Sequence, residues 1–164
     1  MHVFDTAIGR AGVEWDEAGI TAVLMPGRSG LVDDGRELPP AVRAGVAGIV
    51  ALLAGERREL REIVLDDHAL DDFRRRVYAA TRAIGPGETA TYGEIARAIG
   101  DPGAARAVGA ALGSNPFPII VPCHRVLAAD GALHGFSAPG GLATKRRMLE
   151  IEGAPGFTQE SLFA

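Results

Sequence analysis

The chain has 164 residues, 47% of them hydrophobic and 23% charged, with a net charge of −4. That length supports one sizeable core, or a small unit joined to a medium one, and the longest apolar stretch, Ala44 to Ala54, is too short to span a bilayer. A lone cysteine, Cys123, excludes any disulfide within the chain and any zinc site built on two or more thiolates.

The start, Met1-His2-Val3-Phe4-Asp5, lacks a basic region followed by an apolar run, so a cytoplasmic location is expected. A net negative charge argues against a nucleic-acid partner, but the charge is uneven. Residues 1–70 carry 7 Lys and Arg against 12 Asp and Glu, whereas residues 71–164 carry 10 against 9. A local surface for DNA remains open in the second half.

Val3 to Ile8, Gly12 to Trp15 and Gly19 to Met25 are β-prone runs, the last two joined by a turn at Asp16-Glu17-Ala18-Gly19. Residues 28–37 are polar and contain glycine, which predicts a loop. Pro39-Pro40 opens a helix to about Leu53, stopped by Gly55. Leu60 to Leu65 reads as one more strand. Residues 1–70 thus predict a small α/β domain without a chemical motif, bounded near Asp66-Asp67-His68; residues 71–164 form the second domain.

Asp71-Asp72 start the next helix with acidic side chains at its positive end, and Phe73, Val77, Ala80 and Ile84 form its apolar stripe. Gly85-Pro86-Gly87 ends it. Thr91-Tyr92-Gly93-Glu94 is a capping box for a helix that runs to Ile99 and stops at Gly100. Asp101-Pro102 then predicts the start of a helix that runs to about Leu112. Two short helices joined by a tight glycine turn make a candidate helix-turn-helix.

The second of these helices carries Arg106 on one face with Gly103, Gly109, Ala110 and Gly113. Each helical glycine costs about 1 kcal/mol relative to alanine, so the repetition needs a reason. One reason is close packing against another helix; the other is a flat face that approaches a nucleic-acid groove, with one cation projecting from it. The helix N-terminus, Pro102 to Ala105, suits a phosphate.

Ser114 to Val126 reads Ser-Asn-Pro-Phe-Pro-Ile-Ile-Val-Pro-Cys-His-Arg-Val. Prolines inside an apolar run predict a buried extended segment rather than a central strand. It delivers Cys123 with His124 and Arg125 beside it. Cationic neighbours lower a thiol pKa; the alternatives are an inert buried cysteine or a redox thiol. His124 is either a base for that thiol or a satisfied core histidine. In a helix from Leu142 to Ile151, Leu142, Lys145 and Leu149 share a face that Glu152 continues. Glu152 is then either a partner for a histidine or exposed at a frayed helix end.

The strings Tyr92-Gly93-Glu94-Ile95-Ala96, Ala104-Ala105-Arg106-Ala107-Val108-Gly109, Asn115-Pro116, Pro122-Cys123-His124-Arg125-Val126 and Gly140-Gly141-Leu142, with Lys145 and Glu152-Gly153, resemble the alkylguanine-DNA alkyltransferases, the methylated-DNA–protein-cysteine methyltransferases. The resemblance is dense over residues 70–153 and only architectural before them. It implies an α/β (α+β) protein: a small ribonuclease-H-like sheet-and-helix domain, then a mainly helical domain with a helix-turn-helix that enters the minor groove.

The resemblance also implies roles. Cys123 accepts the alkyl group of O6-alkylguanine, or of O4-alkylthymine, in one stoichiometric transfer. His124 takes the thiol proton through a water, and Glu152 orients it. Tyr92 gives a proton to the purine, and Asn115 holds the turn before the cysteine segment. Arg106 fills the place of the flipped base, and Ala104, Ala105, Gly109 and Arg125 belong to the DNA-facing surface. Pro118, Val126, Phe136, Ser137 and Lys145 line the base pocket, with the backbone of Val126 and Ser137 reading guanine edges. The implied partner is double-stranded DNA bearing an alkylated guanine, bound by a monomer without cofactor or metal. Two departures fall on the expected pocket wall: Ala138-Pro139 lengthens the loop before Gly140-Gly141, and Phe136 stands where tyrosine is frequent.

Three other readings compete: a DNA-binding protein that senses lesions without transfer, a transcription factor, and a cysteine hydrolase. The helix of Arg106 lacks the polar base-reading side chains of a major-groove reader. The sequence offers no independent sign of an oxyanion hole or of turnover.

Overall fold

The computed structural model describes residues 1–133 and 139–157. Three antiparallel strands, β1 (His2–Thr6), β2 (Gly9–Trp15) and β3 (Ile20–Leu24), form a sheet in the order β1-β2-β3. The expected turn at Asp16–Gly19 closes with Asp16 N donating to Gly19 O at 2.9 Å. Glycine is required there: φ is 149°, and a Cβ would lie 2.7 Å from Val64 O. Ala11, Val13 and Val23 are buried in the core.

Helix α1 (Pro40–Leu53) begins and ends as expected and lies against β1. At Gly48 a Cβ would come 2.8 Å from Leu60 Cδ2, so a glycine lets the following chain approach. The strand expected over Leu60 to Leu65 does not form; its pairing reduces to one bridge between Ile20 and Leu65. Arg82 explains this, because its Nη2 donates to the carbonyls of Leu60, Arg61 and Ile63. Those acceptors are satisfied by one guanidinium rather than by a neighbouring strand.

Helix α2 (Asp72–Arg82) is capped by Asp71, whose side chain accepts from Arg74 N at 2.8 Å. Val77 is fully buried, with Phe73 and Ala80 packed against the core. A two-residue strand β4 (Ala90–Thr91) leads into α3 (Tyr92–Ala98), where Thr91 Oγ1 accepts from Glu94 N at 3.1 Å. Helix α4 spans Ala105–Gly113, three residues later than its expected start. Asp101 to Ala104 instead close a turn, with Ala104 N donating to Asp101 O at 3.0 Å.

The chain then passes through a 3₁₀ turn at Cys123–Arg125, a short strand β5 (Val126–Leu127) parallel to β4, and α5 (Gly141–Glu152). One apolar core runs from Phe4 and Val13 through Val77 and Val108 to Met148. The architecture is the expected mixed α/β arrangement, a small sheet followed by a mainly helical half. Among the described residues no helix is long and apolar enough to cross a membrane.

Candidate active site

The segment before the cysteine is a tight loop, not the extended run that its prolines predict. Asn115 fixes both ends: its Nδ2 donates to Val121 O at 2.9 Å, and its Oδ1 accepts from Phe117 N at 2.8 Å. Val121 N closes the loop onto Phe117 O at 2.8 Å. Inside it Ile119 has φ 76° and is buried. A β-branched residue in that region is strained by about 1–3 kcal/mol, which only a well-packed surrounding sustains. The spacing carried no sign of this strain.

Cys123 opens the 3₁₀ turn that follows, with its N donating to Val121 O at 2.7 Å. Beyond the turn, Ala90 pairs with Val126 and Thr91 with Leu127. This pairing sets the N-terminus of α3, and with it Tyr92, beside the cysteine segment. Tyr92 and Cys123 line one cleft of about 280 Å³. Pro118 lies on its wall as expected.

The thiol is not held as a thiolate. Burial pushes the Cys123 pKa up, against smaller opposing effects of the Asn115 hydrogen bond and the Lys145 charge. The expected activation by adjacent cations is therefore corrected, because the Arg125 guanidinium points elsewhere. Its Nε and Nη2 donate to the two Glu152 oxygens, both at 2.9 Å, and its Nη1 donates to Ile84 O at 2.7 Å. Arg125 is only 5% exposed. Its expected place on a DNA surface is overturned: all three nitrogens serve the protein interior.

Glu152 meets His124 as well, with 2.7 Å between Oε1 and Nε2. Burial alone would raise the Glu152 pKa, but His124 and Arg125 together bring it down to about 2. An ionised carboxylate only accepts, so the His124 proton sits on Nε2. Burial lowers the His124 pKa despite Glu152, so the ring is neutral. Its Nδ1 lone pair is buried without a hydrogen-bond partner among the described residues. The frayed-end alternative for Glu152 is thereby set aside.

Lys145 is buried, with Nζ donating to Val126 O at 2.7 Å and lying 5.9 Å from the Tyr92 ring centroid. Val126 is itself fully buried and is not on the cleft wall. Its carbonyl, expected to read a guanine edge, accepts from Lys145 Nζ with one of its two lone pairs. Burial raises the Tyr92 pKa, which keeps its phenol protonated. Of the three residues expected to share a face of α5, Lys145 and Leu149 are buried and Leu142 is 45% exposed. Phe136, Ser137 and Ala138 lie outside the described residues.

On α4, Arg106 and Ala110 lie on the exposed side, while Val108, Ala111 and Leu112 enter the core; Gly103, expected on the same face, is exposed in the turn before the helix. Ala104 and Ala105 are half-buried at the helix start. Gly109 backs onto Tyr92, where a Cβ would meet the ring at an ordinary 3.9 Å. The face thus stays open at Arg106 and Ala110 but meets α3 where Gly109 packs on Tyr92; Tyr92 lines the cleft, as does Leu112 from the core side of α4. The carbonyl of Ala111 near the helix end accepts from Tyr78 Oη at 2.7 Å.

Sequence reasoning missed the opposite wall. Strands β2 and β3 and the turn after them contribute Glu14, Leu24 and Arg28 to the same cleft. Val23 N anchors this wall by donating to Pro116 O at 2.9 Å. No local pattern marks these residues, because their role depends on contact with a segment about ninety positions away. Among the described residues no group of three or more His, Cys, Asp or Glu is arranged to hold a metal ion.

A family model described as the DNA-binding domain of 6-O-methylguanine DNA methyltransferase matches residues 72–154. A methylated-DNA–protein-cysteine methyltransferase of Mycolicibacterium paratuberculosis is 43% identical over 147 residues, covering 90% of this chain and 84% of the relative. One from Methanosarcina acetivorans is 38% identical over 155 residues, covering 93% and 97%. A crystal structure of Mycobacterium tuberculosis OGT in complex with DNA superposes with a TM-score of 0.76 at 38% identity, covering 99% of this chain and 98% of that one. The matched segment holds the clamped cysteine loop, Tyr92 and the flat helix, and the chain belongs to the methylated-DNA–protein-cysteine methyltransferase family.

Proposed function

We propose that this protein repairs O6-alkylguanine in double-stranded DNA by moving the alkyl group onto Cys123 in a single, irreversible step. The observation that carries this is the thiol in a cleft shared with Tyr92, the residue on which Gly109 of the small-residue face of α4 packs. The guanine oxygen is hidden in the base stack, so the nucleotide must be flipped into the cleft, at a cost of a few kcal/mol. Helix α4 lies in the minor groove, its glycines and alanines allow close approach, and Arg106 occupies the vacated place in the duplex.

The thiol proton passes to His124 Nδ1, directly or through one water, while Glu152 holds the ring and stabilises its charged form. Sulfur then attacks the saturated carbon. The S–C bond forms, the C–O6 bond breaks, and its electron pair goes to the purine, which is neutralised by a proton from Tyr92. A thioether is inert to hydrolysis under these conditions, so one molecule acts once. Proton removal is coupled to the attack, because burial disfavours a standing thiolate.

We assign residues 1–70 to a structural unit and residues 71–164 to the DNA-binding alkyltransferase unit. A monomer in the cytoplasm, where a lone thiol stays reduced, suits this chemistry. Incubation with a duplex containing O6-methylguanine, followed by peptide mass analysis, is expected to place one methyl group on Cys123. An unmodified Cys123 after exposure to excess substrate overturns the assignment.

A further inference from the structure

The cleft above Cys123 is lined by two distant stretches of the chain, Tyr92 and Leu112 from the helical half and Glu14, Leu24 and Arg28 from the first sheet and the turn after it. The second stretch is held in place. Beside the bond from Val23 to Pro116, Gly27 sits so near Pro139 that a Cβ on it would come within 2.9 Å of the proline Cβ. Arg28 follows immediately, its backbone N donating to Met25 O at 3.4 Å. Its side chain is exposed, and its guanidinium has no ion pair or hydrogen bond among the described residues, although Glu14 lines the same cleft.

This cation is a local exception in an N-terminal half with 7 basic against 12 acidic residues. Its position has a chemical complement. A flipped nucleotide turns its base into the cleft and leaves its flanking phosphates at the mouth. Guanidinium and phosphate match in a two-point, charge-assisted geometry. Leu112 of α4 lines the cleft and Gly109 packs on Tyr92, which lines it too, so strand backbone that follows α4 passes the mouth toward Arg28.

We propose that Arg28 binds a phosphate of the damaged strand next to the flipped nucleotide, which makes the turn after β3 part of the DNA interface. The proposal rests on the repair reading. Arg28 is a positioning residue: it holds the base in the cleft and takes no part in the transfer.

The test compares wild type, Arg28→Gln and Arg28→Lys in single-turnover transfer from an O6-methylguanine duplex and from the free O6-methylguanine base, which has no phosphate. Duplex affinity is measured across a salt series. For Arg28→Gln the duplex rate is expected to fall roughly three- to tenfold, with free-base transfer unchanged and the salt slope smaller by about one. Arg28→Lys restores the slope. An unchanged duplex rate and slope overturns the proposal, as does an equal loss on the free base, which marks a change of cleft shape. Failure of wild type to take the alkyl group from either substrate overturns the repair reading itself, and is told apart by not depending on the variant.

Discussion

Glu152 Oε1 lies 2.7 Å from His124 Nε2 and 2.9 Å from Arg125 Nη2, so one carboxylate oxygen joins the two residues that follow the cysteine. The arrangement splits their roles. His124 keeps a free lone pair on Nδ1, while Arg125 is consumed in holding Glu152 and the end of the α2 segment at Ile84.

Removing either side of this buried cluster leaves an unpaired charge. Glu152→Gln and Arg125→Ala are each expected to lose about 3–5 kcal/mol of stability in urea unfolding. Arg125→Ala should keep the salt slope of DNA binding unchanged. A slope reduced by about one would return Arg125 to the DNA surface.

The pH dependence follows from three shifts. His124 has a folded pKa below 6.5, so the single-turnover rate should hold from neutral pH down past 6.5 and then fall as the ring protonates. Stability has the same sign: the contribution is complete above 6.5 and is lost as pH drops toward the folded value. Glu152 adds a second acid loss between 4.5 and about 2. Cys123, raised above 9.0, contributes stability that is complete below 9.0 and lost as pH rises through its folded value. Thiol labelling of the free protein by iodoacetamide should therefore be slow at neutral pH; rapid labelling there would show a standing thiolate.

Arg106 is exposed on α4 and makes no ion pair with the described residues. Arg106→Ala should slow transfer from an O6-methylguanine duplex more than it weakens binding to undamaged duplex. Transfer and binding that fall by the same factor contradict its place in the vacated stack.

Gly109→Ala separates the fold from the interface. The Cβ meets Tyr92 at 3.9 Å, ordinary contact, so thermal unfolding should show a gain of up to about 1 kcal/mol from helix propensity. DNA affinity should nonetheless drop, since the added methyl stands on the face that approaches the groove. A variant that binds DNA as well as wild type returns the glycine to a packing role.

Much of the site is legible from local pattern. The cap at Thr91, the end of α3 near Gly100, the flat face around Arg106 and the Pro-Cys-His-Arg string all follow from the chemistry of neighbouring residues. The start of α4 did not, because a backbone turn from Asp101 to Ala104 displaced the expected proline start. Nor did the strand at Leu60 to Leu65, whose carbonyls were taken by an arginine about twenty residues further on.

Covalent order alone places His124 and Arg125 beside Cys123, because adjacency along the chain needs no folding. What those groups do was set by packing between distant segments. Burial turned the cysteine into a protonated thiol, Glu152 drew Arg125 inward and fixed the His124 tautomer, and the first sheet supplied a cleft wall from about ninety residues away. Charge and hydrogen bonding act through space, and their strength depends on how far water has been excluded.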